Sequence, residues 1–276
     1  MTKFKGLLKA SHFGPTLIVT TISFFFANHY WWEGPAYVIA FGVFTGQLVV
    51  GWSNDLYDYQ DDLRHQRNNK PLVSGLITKD YLHKWLQFMV PFSFIANLIG
   101  PLGIKGGLVY MLGIACGVGY NFYFKFSLLS PLPYAIAFAA LPSSIAISKD
   151  INPPTWMWLG GALFGMAAHF INVIKDMKED HVSGIGGLPQ KLGTKGSIIA
   201  AALLVALGVL TLIRMKSIEA FLGLILAVLI LINWGITLLT IGDNRFRIPI
   251  SGATILLQSV GILIVVKKIL RILNNK

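Results

Sequence analysis

The chain has 276 residues, of which 54% are hydrophobic and only 13% charged. Soluble domains carry about 25% charged residues, so this deficit excludes an ordinary soluble globule and points to a bilayer. A net charge of +11 would point to nucleic acid in a soluble protein. Here the basic residues sit between apolar runs, where membrane orientation and anionic headgroups account for them and no nucleic-acid partner is expected.

Residues 1–10 are basic and lead into an apolar stretch without a small-x-small cleavage pattern. Trp31 and Trp32 follow as an interfacial belt, so this stretch is expected to be a retained first span. Nine apolar runs can be drawn, over residues 14–30, 34–52, 85–104, 107–124, 131–148, 156–174, 197–213, 220–241 and 248–266. Several approach the ~20 residues that a spanning helix needs. Backbone groups in lipid must bond internally, so the runs are expected to be helices. The expected fold is all-α: a polytopic membrane protein of about nine transmembrane helices in one bundle. The whole chain, 1–276, reads as a single domain. Cys116, the one cysteine, lies inside the fourth run, which rules out an internal disulfide and leaves a thiolate metal site without a second thiol.

Most connections are short; the long ones follow the second and sixth runs. Lys3, Lys5, Lys9, Arg64, Arg67, Lys70, Lys79, Lys125, Lys175, Lys178, Lys191, Lys195, Arg245 and Arg247 share one side in a nine-span count. By the positive-inside rule that side is cytoplasmic, in a multi-pass protein of the cell membrane. The late charges Lys267, Lys268, Arg271 and Lys276 run against this bias, and early charges outweigh them.

After the second run, Asp55, Asp58, Asp61 and Asp62 fall within eight residues, a third of the chain's 12 acidic residues. Asn54, Asp58 and Asp62 are spaced i, i+4, i+8, which places them along one helix face. Asn172, Asp176 and Asp180 repeat that spacing 118 residues later. Each set has an acid one position before its last (Asp61, Glu179) and a proline nine beyond it (Pro71, Pro189). The chain therefore reads as two pseudo-repeated halves, approximately 1–125 and 126–276, each presenting an acidic helix end.

Stacked like charges repel, and an Asp at the bilayer centre costs ~2.5–3.5 kcal/mol. The motifs are thus expected near the interface with a counter-cation. Carboxylates plus an amide oxygen are hard ligands that suit Mg²⁺ and substrate phosphate oxygens, whereas no His pair has zinc spacing. Arg64, Arg67 and Lys70 follow the first motif, and Lys175 and Lys178 interleave the second. Gln47 and His169 lie deeper on the motif helices, and Tyr120 and Asn121 near the end of the fourth run. Polar groups at such depth usually face the bundle interior. Asp55 and Asp61 fall off the i, i+4, i+8 stripe; Asp55 is expected behind it and Asp61 in solvent.

Asn54-Asp55-Leu56-Tyr57-Asp58-x-x-x-Asp62 followed by Lys70-Pro71-Leu72-Val73-Ser74-Gly75 resembles the first signature of the UbiA superfamily of intramembrane prenyltransferases. Asp176-x-x-x-Asp180 with Gly187-Leu188-Pro189 and Leu192-Gly193 resembles the second, and Tyr120-Asn121 with Lys125 resembles the segment after the fourth helix. The likeness covers essentially the whole chain. It departs at Lys70 (often Arg), near Val173 (often Asp or Glu) and at Ser11-His12-Phe13-Gly14-Pro15, where quinone-pathway members carry Arg-Pro. The pattern looks closer to a loosely characterised bacterial branch.

The resemblance implies transfer of an isoprenyl or polyprenyl group from an allylic diphosphate. Mg²⁺ would be held by Asn54, Asp58, Asp62, Asp176 and Asp180. Arg64, Lys70 and Lys125 would contact the diphosphate, and Tyr120 and Asn121 would shield the allylic cation. The acceptor expected is aromatic, of 4-hydroxybenzoate or naphthoate type in quinone-like lipid synthesis; a glycerol phosphate, phosphoribosyl group, porphyrin or carotenoid remains as an alternative. Membrane lipid is the expected surrounding, and the sequence leaves the oligomeric state open. A cation-coupled transporter is the rival class, disfavoured because its carboxylates belong near the midplane.

Overall fold

The computed structural model describes residues 2–213 except Lys175 and Asp176. The eighth and ninth expected runs and one motif aspartate, Asp176, therefore lie outside the described residues. These residues form helices α1 (Thr2–Ala10), α2 (Phe13–Tyr30), α3 (Glu33–Arg64), α4 (Lys79–Ile99), α5 (Gly103–Phe122), α6 (Leu132–Ile147), α7 (Gly161–Ile174), α8 (Met177–Val182) and α9 (Leu188–Ile213). No strand occurs among them. The chain divides into two units, Met1–Gly208 and Val209–Lys276, and the first carries the candidate site discussed below.

The first seven expected runs each overlie a helix. Ends shift for local reasons. The third run begins early because Thr78 caps α4, its side chain accepting from Tyr81 N at 3.3 Å, and stops early at Gly100. The sixth opens with a π-helical turn, Trp156–Gly160, before α7. Four described helices are long and apolar enough to cross a bilayer: α3, α5, Trp156–Ile174 and α9; the α1–α2 pair, bent by 65°, makes a fifth if counted as one span. The other two expected spans fall short of that measure. α6 has only 16 residues, and α4 carries His83, Lys84, Gln87 and Asn97 along its length.

At 1.5 Å per residue, the 32 residues of α3 extend about 48 Å, beyond a hydrocarbon core of about 30 Å. About twenty residues from Glu33 reach Trp52. Asn54 to Arg64 therefore continue as helix past the apolar span, and the first motif rides on that extension. Neighbouring helices pack in chain order, α2 on α3, α3 on α4, α4 on α5, α5 on α6 and α6 on α7, and α3 also touches α5. Leu7, Trp52, Leu72, Ile77 and Leu82 are buried together beneath the motif, and Trp52 Nε1 donates to Leu7 O at 3.0 Å. Outside, Phe88, Phe92, Ile95 and Ile99 on α4 and Ile199, Leu203, Leu207 and Leu210 on α9 are exposed at helical spacing, as suits a lipid-facing surface.

Small residues let helices approach. A Cβ on Gly165 of α7 would lie 2.4 Å from Tyr134 O of α6, so only glycine fits there. That contact seats α7 one turn before His169. Gly165→Val is expected to lower stability by about 1–3 kcal/mol through overpacking, read as a drop in the detergent-solubilised melting temperature.

Candidate active site

The extension of α3 divides into two clusters. In the first, Asn54 Nδ2 donates to Asp58 Oδ2 at 3.0 Å and to Asn121 Oδ1 at 2.8 Å. Lys125 Nζ donates to Asp58 Oδ1 at 2.6 Å. Lys125 also lies against two aromatic faces, with its ammonium 4.8 Å from the Tyr57 ring centre and 5.3 Å from that of Phe126. It lies in a 3-10 turn, Phe124–Phe126, just past the end of α5, and is buried despite its charge. A buried cation persists where a carboxylate and aromatic faces replace its water.

The second cluster joins Asp55 and Asp62, which are 2% and 1% exposed. Lys70 Nζ donates to Asp55 Oδ1 at 2.7 Å and stands 3.9 Å from Asp62 Oδ2. Arg67 Nη1 donates to Asp62 Oδ1 at 2.8 Å, and His12 Nε2 stands 3.1 Å from Asp55 Oδ1. Helix geometry explains the pairing. At 100° per residue, i to i+8 drifts by about 80°, whereas i to i+7 misses by only about 20°. Asp62 therefore sits over Asp55 rather than in line with Asn54. Asp55, expected behind the stripe, is a full member of a buried ion cluster. Asp61 is half-buried, with His65 Nδ1 at 3.5 Å and Arg67 Nη1 at 3.9 Å.

The loop after α3 aims these cations. The chain leaves the helix through Gln66 in the left-handed region (φ 50°), and Arg67 N returns to Asp62 O at 2.9 Å. Pro71, Leu72 and Ile77 are then buried, which pins Lys70 over Asp55. Arg64, one of the three cations expected at the diphosphate, is exposed and makes no ion pair among the described residues. Arg67 occupies the position beside Asp62 instead.

Neighbouring residues on α5 turn to the two motif helices. Asn121 meets Asn54 on α3, while the Tyr120 ring packs edge-on against His169 of α7 at 5.4 Å. His169 lies three residues before Asn172, the exposed first member of the second set. Of the rest of that set, Asp180 on α8 accepts from Gln190 Nε2 at 2.8 Å. The expected polar position Gln47 faces the buried Tyr110 hydroxyl deeper in the bundle.

A family model, the UbiA prenyltransferase family, matches residues 16–245. The chain belongs to this family. It is a prenyltransferase embedded in a membrane, which sets aside the transporter reading. No curated protein matches the sequence. Among solved structures, a UbiA homologue from Archaeoglobus fulgidus bound to GPP and Mg²⁺ is 15% identical, with a TM-score of 0.72 over 93% of this chain and 95% of that one. An apo UbiA homologue from Aeropyrum pernix K1 is 18% identical, with a TM-score of 0.71 over 92% and 97%. A digeranylgeranylglyceryl phosphate synthase is 19% identical, with a TM-score of 0.60 over 96% and 97%. These likenesses show the UbiA fold.

The donor set within this UbiA fold has the chemistry of a hard-cation site. Asn54 spends both amide hydrogens on Asp58 and Asn121, leaving its oxygen without a hydrogen-bond partner among the described residues. Asp55 Oδ2 is buried and unpartnered. No group of three His, Cys, Asp or Glu side chains converges among the described residues, and Asp176 is outside them. Sequence reasoning assigned no site role to His12, Ser130 or Gln190, since each meets its partner across a loop or between helices.

Proposed function

We propose that this prenyltransferase ionises an allylic isoprenyl diphosphate with Mg²⁺ and transfers the isoprenyl group to an aromatic acceptor of 4-hydroxybenzoate or naphthoate type, in the synthesis of a quinone-like lipid. The carrying observation is the Asn54–Asp58–Lys125 cluster, where carboxylate, amide and buried ammonium meet beside Tyr57 and Asn121. Two Archaeoglobus homologue structures contain Mg²⁺ with GPP or with DMAPP, which supports the donor and the metal.

Asn54, Asp58 and Asp62, with Asp176 and Asp180 from the second motif, would hold the metal. When bound there, Mg²⁺ would supply Lewis-acid neutralisation of the departing diphosphate. Lys125, Lys70 and Arg67, which now pair with Asp58, Asp55 and Asp62, would supply the cations for the diphosphate oxygens. The allylic C–O bond breaks with its electron pair leaving on the diphosphate. The Tyr120 ring and the Asn121 amide oxygen offer electron density to the resulting cation and exclude water from it. A ring carbon of the acceptor then forms the new C–C bond and loses its proton.

A second reading, with a glycerol phosphate-type acceptor, is favoured by two observations. One solved relative is a digeranylgeranylglyceryl phosphate synthase, and an open surface depression at the α1–α2 bend, lined by Leu8, Phe13 and Pro15, also carries Lys5, Lys9 and His12, groups that suit a phosphate. Purified protein in detergent decides between them. With Mg²⁺, a ladder of allylic diphosphates and both acceptor classes, we expect diphosphate release coupled to a prenylated aromatic product seen by mass spectrometry. Product from glycerol phosphates alone would replace the first reading by the second. EDTA is expected to abolish diphosphate release, and excess Mg²⁺ to restore it; release unaffected by EDTA would remove the metal role.

A further inference from the structure

Ser130 and His169 lie on neither acidic motif, yet each is 1% exposed and they meet at 3.1 Å through Ser130 Oγ and His169 Nε2. The same hydroxyl accepts Leu188 N–H at 3.1 Å. Leu188 closes the loop after α8, which carries Asp180, and begins α9. Gly187 lies so close that an added Cβ would stand 2.8 Å from Ser130 Oγ and 3.1 Å from Lys125 O. The loop that follows the second motif is therefore seated on the 125–130 segment, whose Lys125 holds Asp58 of the first. The His169 ring continues the connection, packed on Tyr134 at 4.7 Å and on Tyr120 at 5.4 Å.

We propose that His169 and Ser130 form a buried latch that seats the second acidic loop and sets the Tyr120 ring. Both are positioning residues for binding the metal–diphosphate. The Ser130 hydroxyl shares a hydrogen bond with Nε2 while its oxygen accepts Leu188 N–H, so one hydroxyl joins α7 to the start of α9. The physical basis is that a buried hydroxyl and imidazole without partners are costly, so the two elements stay together. This inference rests on the metal–diphosphate reading for its second measurement only.

The test compares Ser130→Ala, His169→Phe and His169→Gln, since a Gln amide can reach the position of Nε2. The first measurement is hydrogen exchange over residues 183–188 in protein without ligand. Ser130→Ala and His169→Phe are expected to exchange about tenfold faster than the parent, and His169→Gln within about threefold of it. The second is titration with Mg²⁺ and a non-ionising thiolodiphosphate analogue. The first two variants are expected to bind about tenfold more weakly, and the double variant no worse than either single. Unchanged exchange would overturn the latch. Faster exchange with unchanged affinity would overturn its link to the site. Should Ser130→Ala not fold, the His169→Gln and His169→Phe pair carries the same comparison. If the parent protein itself fails to bind the analogue, the diphosphate reading falls while the exchange measurement still decides the latch.

Discussion

Asp58→Asn is expected to lower kcat/KM by at least about 10³-fold while keeping the outline of the site. Asn is nearly isosteric and can still meet Asn54, so what it removes is the charge between Lys125 and the metal position. Preorganised charge at a developing leaving group is commonly worth about 10²–10³ per group, and a metal ligand adds to that. Stability should fall as well. Lys125 is buried, and it would keep only the Tyr57 and Phe126 faces. Breaking a buried pair costs roughly 3–5 kcal/mol, and the remaining cation–π contacts place this case at the low end. Single-turnover diphosphate release and the melting temperature in detergent measure the two effects separately. Turnover near the parent value would remove Asp58 from the site.

Lys125→Met is expected to cost about 10²–10³-fold in kcat/KM, with much of the loss in the ionisation step. Met keeps the length of the side chain and packs well against Tyr57 and Phe126, so the fold should survive. The informative variant is the double, Asp58→Asn with Lys125→Met. It removes both charges, so the melting temperature should recover part of what Asp58→Asn loses. Activity should not recover at all. Stability and activity moving together in the double variant would mean that the pair is structural and does not take part in catalysis. Rescue of Lys125→Met by Lys125→Arg is expected to be partial, because a planar guanidinium does not fit the space between two rings as an ammonium does.

The structure alters the electrostatic picture of the first motif in one respect. Three cations and three buried or half-buried carboxylates are already matched: Lys125 with Asp58, Lys70 with Asp55, Arg67 with Asp62. These pairs lower the cost of holding the carboxylates close together in the protein; on the proposed reading, substrate binding would be an exchange of their partners.

Much of this was legible along the chain. Apolar runs near the length of a bilayer span determined the membrane class and the helices, because backbone hydrogen bonds in lipid close only within a helix. The spacing of Asn54, Asp58 and Asp62 marked the acidic end of α3, because i, i+4 neighbours are a local property of 3.6-residue turns. The extension of α3 past Trp52 also follows from residue count alone. Tertiary structure decided which charge meets which. The about 80° drift over eight residues that separates Asp62 from Asn54 is itself a matter of residue count, but only the left-handed Gln66 turn brings back Arg67 instead of Arg64. Burial of Pro71, Leu72 and Ile77 fixes Lys70 on Asp55, and the close approach at Gly165 seats α7 one turn before His169. These outcomes depend on helix azimuth and loop return, which residues distant in sequence set by packing.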